Sequence, residues 1–257
     1  MTDFKDDALV DTWFEAWSRS RGYETRQDGR TRSALRTSRP AGMIPGGSGR
    51  ATMDVPAAWE YVLVAPTQAE LDPILKDLDE HPERMVTVFG EAEADLPGAG
   101  LKQAVDSERL MSVEMDLEVQ DVEPPLMPDG YEAHVDEPVT GSRRLRIMAT
   151  GASTAPEGED ELAAMGWVTF SGSTAVYDRI WTSPQHRRKG LGSLVMRYLT
   201  SEAMSQGDMS EGLLVASPDG QMLYGHLGWN DLAPVSIWVR GDGESIPSPE
   251  HTGTMSR

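Results

Sequence analysis

The residues Arg187-Arg188-Lys189-Gly190-Leu191-Gly192-Ser193 have the composition of an anion site. Glycine at 190 and 192 lets the backbone turn with positive φ and come close to a ligand, because no Cβ stands in the way. Three cations precede the first glycine, and the run opens into Leu194-Val195-Met196-Arg197-Tyr198-Leu199. Leu191, Leu194, Val195, Tyr198 and Leu199 fall on one helical face, so a helix begins inside the motif. Its first free N–H groups and the positive end of its dipole would point into the loop. A turn of this kind seats a phosphate or pyrophosphate. A charge run alone reads as a solvated helix start; the neighbouring glycines favour the anion site.

The elements that must hold this loop are legible on both sides. Ala175–Thr182 is β-prone and ends at the Ser183-Pro184 break. Leu162–Phe170 and Thr174–Thr182 flank Ser171-Gly172-Ser173, a tight-turn signal, so an antiparallel meander beginning at Tyr131–Val135 and Arg144–Thr150 feeds the loop. Beyond the helix, which Gly207 can end, come a short strand at Gly212–Ala216, a short helix at Gln221–Leu227 and a last strand at Val235–Val239. Gly151–Asp160 reads as a polar hairpin loop. The tail from residue 242 is rich in Gly, Ser, Pro and charge and reads as disordered.

The earlier part of the chain carries elements but no catalytic motif. Leu9, Val10, Trp13, Phe14 and Trp17 make one apolar stripe on a helix over Asp6–Ser20, a buried face. Arg19–Arg50 has no period, eight arginines and many breakers after Arg39, and reads as a long basic loop. Glu60–Val64 and Met85–Phe89 are strands. Thr67-Gln68-Ala69-Glu70 is a capping box for the helix between them, with Asp72-Pro73 as a rival start. Residues 101–110 read as a short helix. Ser112–Val119 alternates as a half-exposed strand, and the proline-rich run Glu123–Gly130 reads as a linker. We divide the chain into an N-terminal α/β domain (1–110), a second domain (111–241) and a tail (242–257).

Composition narrows the function. The chain has 257 residues, no cysteine and a formal charge of −19. Disulfides, thiolate metal sites and cysteine nucleophiles are thereby excluded, and the five scattered histidines have no ligand spacing, so no metal is expected. A strongly acidic protein repels nucleic acid and anionic membrane, so neither is expected as a partner. An acidic N-terminus without an apolar region and the lack of cysteine suggest a cytoplasmic protein. Against this charge, the basic segment Val176–Thr200 holds Arg179, Arg187, Arg188, Lys189 and Arg197 with Asp178 as its one acid.

Two motifs carry a resemblance. Arg187–Gly192 resembles the R/Q-x-x-G-x-G/A signature of the GNAT N-acetyltransferase superfamily, and Leu223-Tyr224-Gly225-His226-Leu227-Gly228-Trp229 is similar to its L-Y-x-x-x-G-F/W signature. The likeness covers about Asp129 to Arg240. It implies a mixed α/β (α+β) fold, a mostly antiparallel twisted sheet with flanking helices, and acetyl-coenzyme A as co-substrate. Carried over by residue, the backbone of Arg188–Ser193 would hold the pyrophosphate, with Arg187 and Lys189 adding charge. Ile180, Trp181 and Thr182 would pair with the pantetheine arm where two strands splay. Tyr224 would be the general acid at the thioester sulfur. Asp178 lies near where some members carry a basic glutamate; Glu114, Asp116 or a water relay are alternatives.

The sequence departs from the pattern at Ser217, where many members have asparagine. It also departs between the family's first two strands, where two helices are missing. The N-terminal half, a degenerate GNAT-like unit, would replace them and bring Trp13 and Trp17 towards the acceptor. The reading is an N-acetyltransferase acting on a small-molecule amine by direct transfer, as a monomer or homodimer. A protein N-terminal or lysine acetyltransferase and a non-catalytic coenzyme A-binding module stand as alternatives.

Overall fold

The computed structural model describes residues 4–37, 57–116, 123–150 and 161–240. The chain opens with α1 (Asp7–Arg21), whose first turn is capped by the Asp6 carboxylate accepting from Leu9 N–H at 2.9 Å. Gly22, in the left-handed region at φ 65°, ends it. The expected stripe is its buried face. Val10, Trp13, Phe14 and Trp17 are inside, and Trp13 stacks on Trp17 with centroids 5.2 Å apart. Burying each large apolar side chain contributes roughly 1.5–3 kcal/mol, which fixes this helix against the sheet.

The expected basic loop from Arg19 is corrected over its described part. Arg19 and Arg21 belong to α1, and residues beyond them form a hairpin, β1 (Glu24–Asp28) and β2 (Thr31–Arg36), turned at Gly29 with φ 56°. Every β1 residue is exposed, so the strand has no apolar alternation to read. Its charges instead protect a sheet edge from further pairing. The arginines are anchors. Arg32, 1% exposed, donates to the carboxylates of Asp7 and Asp11, and Arg30 donates to Asp7 and Glu70. The run Arg39–Gly49 and Arg50 lie outside the described residues, as do Glu118, Val119, Gly151–Asp160 and the tail.

Next come β3 (Ala58–Val64), α2 (Gln68–Glu80) and β4 (Met85–Phe89). The Thr67 capping box wins over the rival start, since the Glu70 carboxylate takes both the N–H and the hydroxyl of Thr67, at 2.9 and 2.8 Å. Pro73 sits inside α2. The expected helix at 101–110 is a strand. β5 (Leu101–Glu114) pairs antiparallel with two neighbours, and those ladders override its local helical spacing. The division drawn at 110/111 therefore falls inside β5.

The remainder runs β6 (Tyr131–Asp136), β7 (Ser142–Ala149), β8 (Glu161–Ser171), β9 (Thr174–Thr182), a 3₁₀ turn (Pro184–His186), α3 (Leu191–Met204), β10 (Glu211–Ala216), α4 (Pro218–His226) and β11 (Asn230–Arg240). All strands join one sheet in the order β1-β2-β3-β4-β11-β5-β10-β9-β8-β7-β6. α1 covers the middle of one face, packing with Val62, Val64, Leu110, Val176, Leu213 and Val235. The other face carries α2 over Leu63, Val86 and Val88, and α3 over Leu145, Val168 and Tyr177. No described helix is long and apolar enough to cross a membrane.

The sheet order has an approximate two-fold pattern. β3–α2–β4 and β9–α3–β10 are each two parallel strands joined through a helix. The strand beyond β4 is β11, and the strand beyond β10 is β5, each antiparallel. Each half thus receives its inner strand from the other, and β5 and β11 pair together at the centre.

Candidate active site

β9 and β10 pair only from Thr174/Glu211 to Val176/Leu213, although β9 runs on to Thr182 and β10 to Ala216. The two strands part beyond that point. The parting coincides with a bulge on β9. Trp167 faces Asp178, Met165 faces Trp181, and the extra residue between them places Arg179 at φ 54°. After the bulge Ile180 points to the α3 face, where its Cδ1 lies against Gly166; a Cβ on that glycine would sit 2.6 Å from it. Ile180, Trp181 and Thr182 thus line one wall of the gap, and Val215–Ser217 the other.

The glycine loop closes the wide end of this gap. Arg188 and Gly190 both have left-handed backbone, at φ 59° and 79°, and Gly190 is the N-cap of α3. Gly190 supplies no side-chain cap, so the α3 N-terminus faces the loop without an internal carboxylate. Gly192 is held at close quarters. A Cβ there would meet Leu223 Cδ2 at 3.2 Å and Thr182 Oγ1 at 3.9 Å. Arg187, Arg188 and Lys189 are exposed. The loop is braced from behind by a chain the sequence did not suggest: buried His186 Nδ1 lies 2.9 Å from the Tyr131 hydroxyl, which also accepts from Lys189 Nζ at 3.3 Å.

Tyr224 stands on α4 at the other wall. It is 7% exposed, 6.0 Å from the Trp229 ring, and its own ring fills the space above Gly220. Burial, and then the Asp178 charge, push its phenol well above the ordinary value, so it keeps its proton. Ser217, in the place of the family's asparagine, is the N-cap of α4 and accepts from Gly220 N–H at 3.3 Å.

Asp178 faces α1. Arg21 grips it with Nε and Nη2 each 2.9 Å from a carboxylate oxygen, and Arg179 Nε is 3.8 Å away. Burial alone would raise its pKa, but these two guanidiniums outweigh burial and hold the carboxyl below the usual range. A carboxylate held this way is a weak proton acceptor. The same contacts bring α1 to β9, and Arg19 adds a bond to the Phe170 carbonyl. Glu114 and Asp116 sit where β5 faces Glu211, at the starts of β9 and β10 and so at the opposite end from the gap. A cleft of about 530 Å³ between Phe4, Leu9, Ser112, Glu211 and Leu232 is also at that far end.

A carboxylate that the sequence reading missed lies closer. Glu108 is one residue beyond the Arg109–Ala216 pair, level with the end of β10, on the same face as Leu110 and hence on the α1 face. Burial first, then the charges of Glu60 and Asp178, raise its carboxyl to about 7 against the pull of Arg36. Glu60 is itself buried, accepts from Thr87 Oγ1 at 2.6 Å and lies 3.3 Å from Arg36. Glu108 was invisible because its segment read as a helix, and its setting comes from three strands distant in sequence.

The acetyltransferase (GNAT) family domain is matched over residues 124–228. That family uses acetyl-coenzyme A as co-substrate, and the residues present suit it, since the β9–β10 gap leaves strand backbone unpaired and the α3 N-terminus uncapped. No curated protein matches the chain in sequence. Among solved structures, it is similar to a GCN5-related N-acetyltransferase from Kribbella flavida at 16% identity, with a TM-score of 0.61 over 92% of this chain and 96% of that one. A GCN5-related N-acetyltransferase from Sphaerobacter thermophilus aligns at 12% identity and TM-score 0.52, covering 84% and 79%. A tandem GNAT protein from the clavulanic acid biosynthesis pathway aligns at 13% identity and TM-score 0.52, covering 95% and 97%. At these identities the likeness is one of fold, and for the Kribbella and tandem proteins it runs across both halves of this chain.

Proposed function

We propose that the protein transfers an acetyl group from acetyl-coenzyme A to the amine of a small molecule, directly, in a ternary complex. The observation that carries this reading is the β9–β10 gap, which has the uncapped α3 N-terminus at its wide end, Tyr224 on one wall and the α1-covered face beyond it. Acetyl-coenzyme A supplies the activated acetyl group. The backbone N–H groups of Arg188–Ser193 hold its pyrophosphate, with Arg187 and Lys189 adding charge. The free backbone edge of Ile180, Trp181 and Thr182 pairs with its pantetheine arm. A backbone N–H of the same edge stabilises developing negative charge on the thioester oxygen.

Tyr224 keeps its proton at neutral pH and can give it to the departing thiolate. Glu108, rather than the Arg21-bound Asp178, is the carboxylate whose proton affinity matches that of a base working near neutrality, and it takes the proton the amine must lose. Asp178 becomes a positioning residue that ties α1 to the bulge. A closed setting under α1 favours a small acceptor over a protein chain. Coenzyme A release with a panel of amines tests the reading. Turnover of small amines that falls about tenfold or more in Tyr224→Phe, with acetyl-coenzyme A affinity unchanged, is the expected result. Acetyl-coenzyme A binding with no turnover of any amine would sink it.

A further inference from the structure

The α1 face of β6–β9 carries a second array next to the gap. One rung of the ladder reads Asp136, Arg144, Trp167, Asp178 across four strands, and Arg146 lies on the next rung beside Met165 and Trp181. The Arg179 and Arg144 guanidiniums lie 4.6 and 5.5 Å from the Trp167 ring centroid. The positive φ of Arg179 turns its side chain onto that ring, a backbone cost that persists where the surroundings require it.

Charge is unbalanced here in the sense opposite to the rest of the molecule. Asp136 serves both Arg144 and Arg146, the latter at 3.6 Å, and Asp178 serves both Arg21 and Arg179. Among the described residues Arg144 and Arg146 thus share the single Asp136 carboxylate, in a chain whose formal charge is −19. Two N–H donors in the array are also buried without a hydrogen-bond partner among the described residues: Trp167 Nε1, on a side chain 5% exposed, and Arg146 Nε. Leaving a buried donor unmet costs about 1–3 kcal/mol, and folded proteins rarely tolerate it. An oxygen-rich anion answers both the charge and the unmet donors, and the planar guanidinium fork suits it.

We infer that this array binds an anionic oxygen group, a carboxylate or a phosphate, carried by the acceptor, so that the substrate is an amine with an acidic group at its other end. The inference rests on the proposed acetyl transfer and gives it a substrate class. β7 is two strand spacings from β9, about 10 Å, which is the reach of a compact amino acid or amino phosphate with its acidic group at the array and its amine at the gap. The acceptor is then zwitterionic at neutral pH.

The test uses the full chain with acetyl-coenzyme A and four amines: β-alanine, phosphoethanolamine, propylamine and putrescine. Binding is followed by calorimetry in the presence of coenzyme A, and turnover by thiol release. One of the two anionic amines should have a kcat/KM about tenfold or more above propylamine and putrescine, and which of them wins separates carboxylate from phosphate. Arg146→Met should abolish that preference, and Trp167→Phe, which keeps an aromatic ring and removes the N–H, should weaken binding of the preferred amine several-fold in a chain that still binds coenzyme A as wild type does. Turnover of propylamine or putrescine equal to that of the anionic amines overturns the inference and leaves acetyl transfer standing. Selective binding of an anionic amine without any turnover does the reverse. Absence of selective binding in wild type overturns it outright.

Discussion

The two halves of the sheet are built alike and differ where it matters. In the first, β3 and β4 stay paired from Glu60/Met85 to Val64/Phe89, and only residues 65–67 lead into α2, whose N-terminus is filled by the Glu70 carboxylate. In the second, β9 and β10 part after Val176/Leu213, residues 183–190 form a long turn with two left-handed positions, and α3 starts without a carboxylate cap. A parallel strand–helix–strand unit is therefore not itself a binding site. It becomes one when the ladder opens and the helix start is left for an outside anion. The first half meets neither condition and supplies α1, β5 and, in the proposed reaction, Arg21 and Glu108.

That division of labour can be broken from either side. The largest effect is expected at Gly192→Val, because the added side chain meets Leu223 and Thr182 where the loop must approach its ligand. Losing two or more charge-assisted hydrogen bonds, about 3–6 kcal/mol, should weaken coenzyme A binding about a thousandfold by calorimetry. A binding constant within threefold of wild type would remove the loop from the site. Next is Glu108→Gln, expected to lower kcat about a hundredfold and to abolish the rise of activity with pH near 7. Its effect on stability has a definite sign. The native state holds that proton up to about 7 and the unfolded chain only to about 4.5, so wild type loses stability as pH rises between them, and the variant should not.

Arg21→Met probes the contact between the halves. It leaves Asp178 charged and largely enclosed, at a cost of about 3 kcal/mol, so the thermal midpoint should drop by about 6–12 °C at neutral pH. The folded pKa of Asp178 is depressed in wild type, so its contribution is present above the ordinary carboxylate value and lost as pH falls through the folded value. The deficit of the variant should accordingly shrink in acid. Glu70→Gln is the smallest. It weakens the α2 cap by about 1 kcal/mol and should lower the midpoint by about 2–4 °C without touching coenzyme A affinity. A measurable change in that affinity would mean the first half still binds the nucleotide.

What could be read from the sequence was local. The α1 stripe, the Thr67 capping box, the Ser171–Ser173 hairpin and the Gly190/Gly192 loop each announce themselves within a few residues, because one turn's geometry dictates them. β1 was hidden by having no apolar side, and β5 by helical spacing that two flanking strands overrule. The same holds at the site. The loop and Tyr224 belong to contiguous motifs, whereas the Arg21–Asp178 grip joins residues from opposite halves, and the raised Glu108 carboxyl depends on Glu60, Arg36 and Asp178. No window along the chain contains those relationships.

The exchange of β5 and β11 at the centre of the sheet has a consequence for how the protein comes into being. β4 has no partner on its inner side until β11 has been synthesised, and β5 must wait for both β10 and β11. The first half therefore cannot complete its sheet while the second is still being made, and three strand edges, one on β4 and both on β5, stay open until β10 and β11 arrive. Long-range pairings of this kind are slow to form and exposed to mispairing while they wait. The halves are alike in plan, yet neither can complete its sheet without the strand the other supplies.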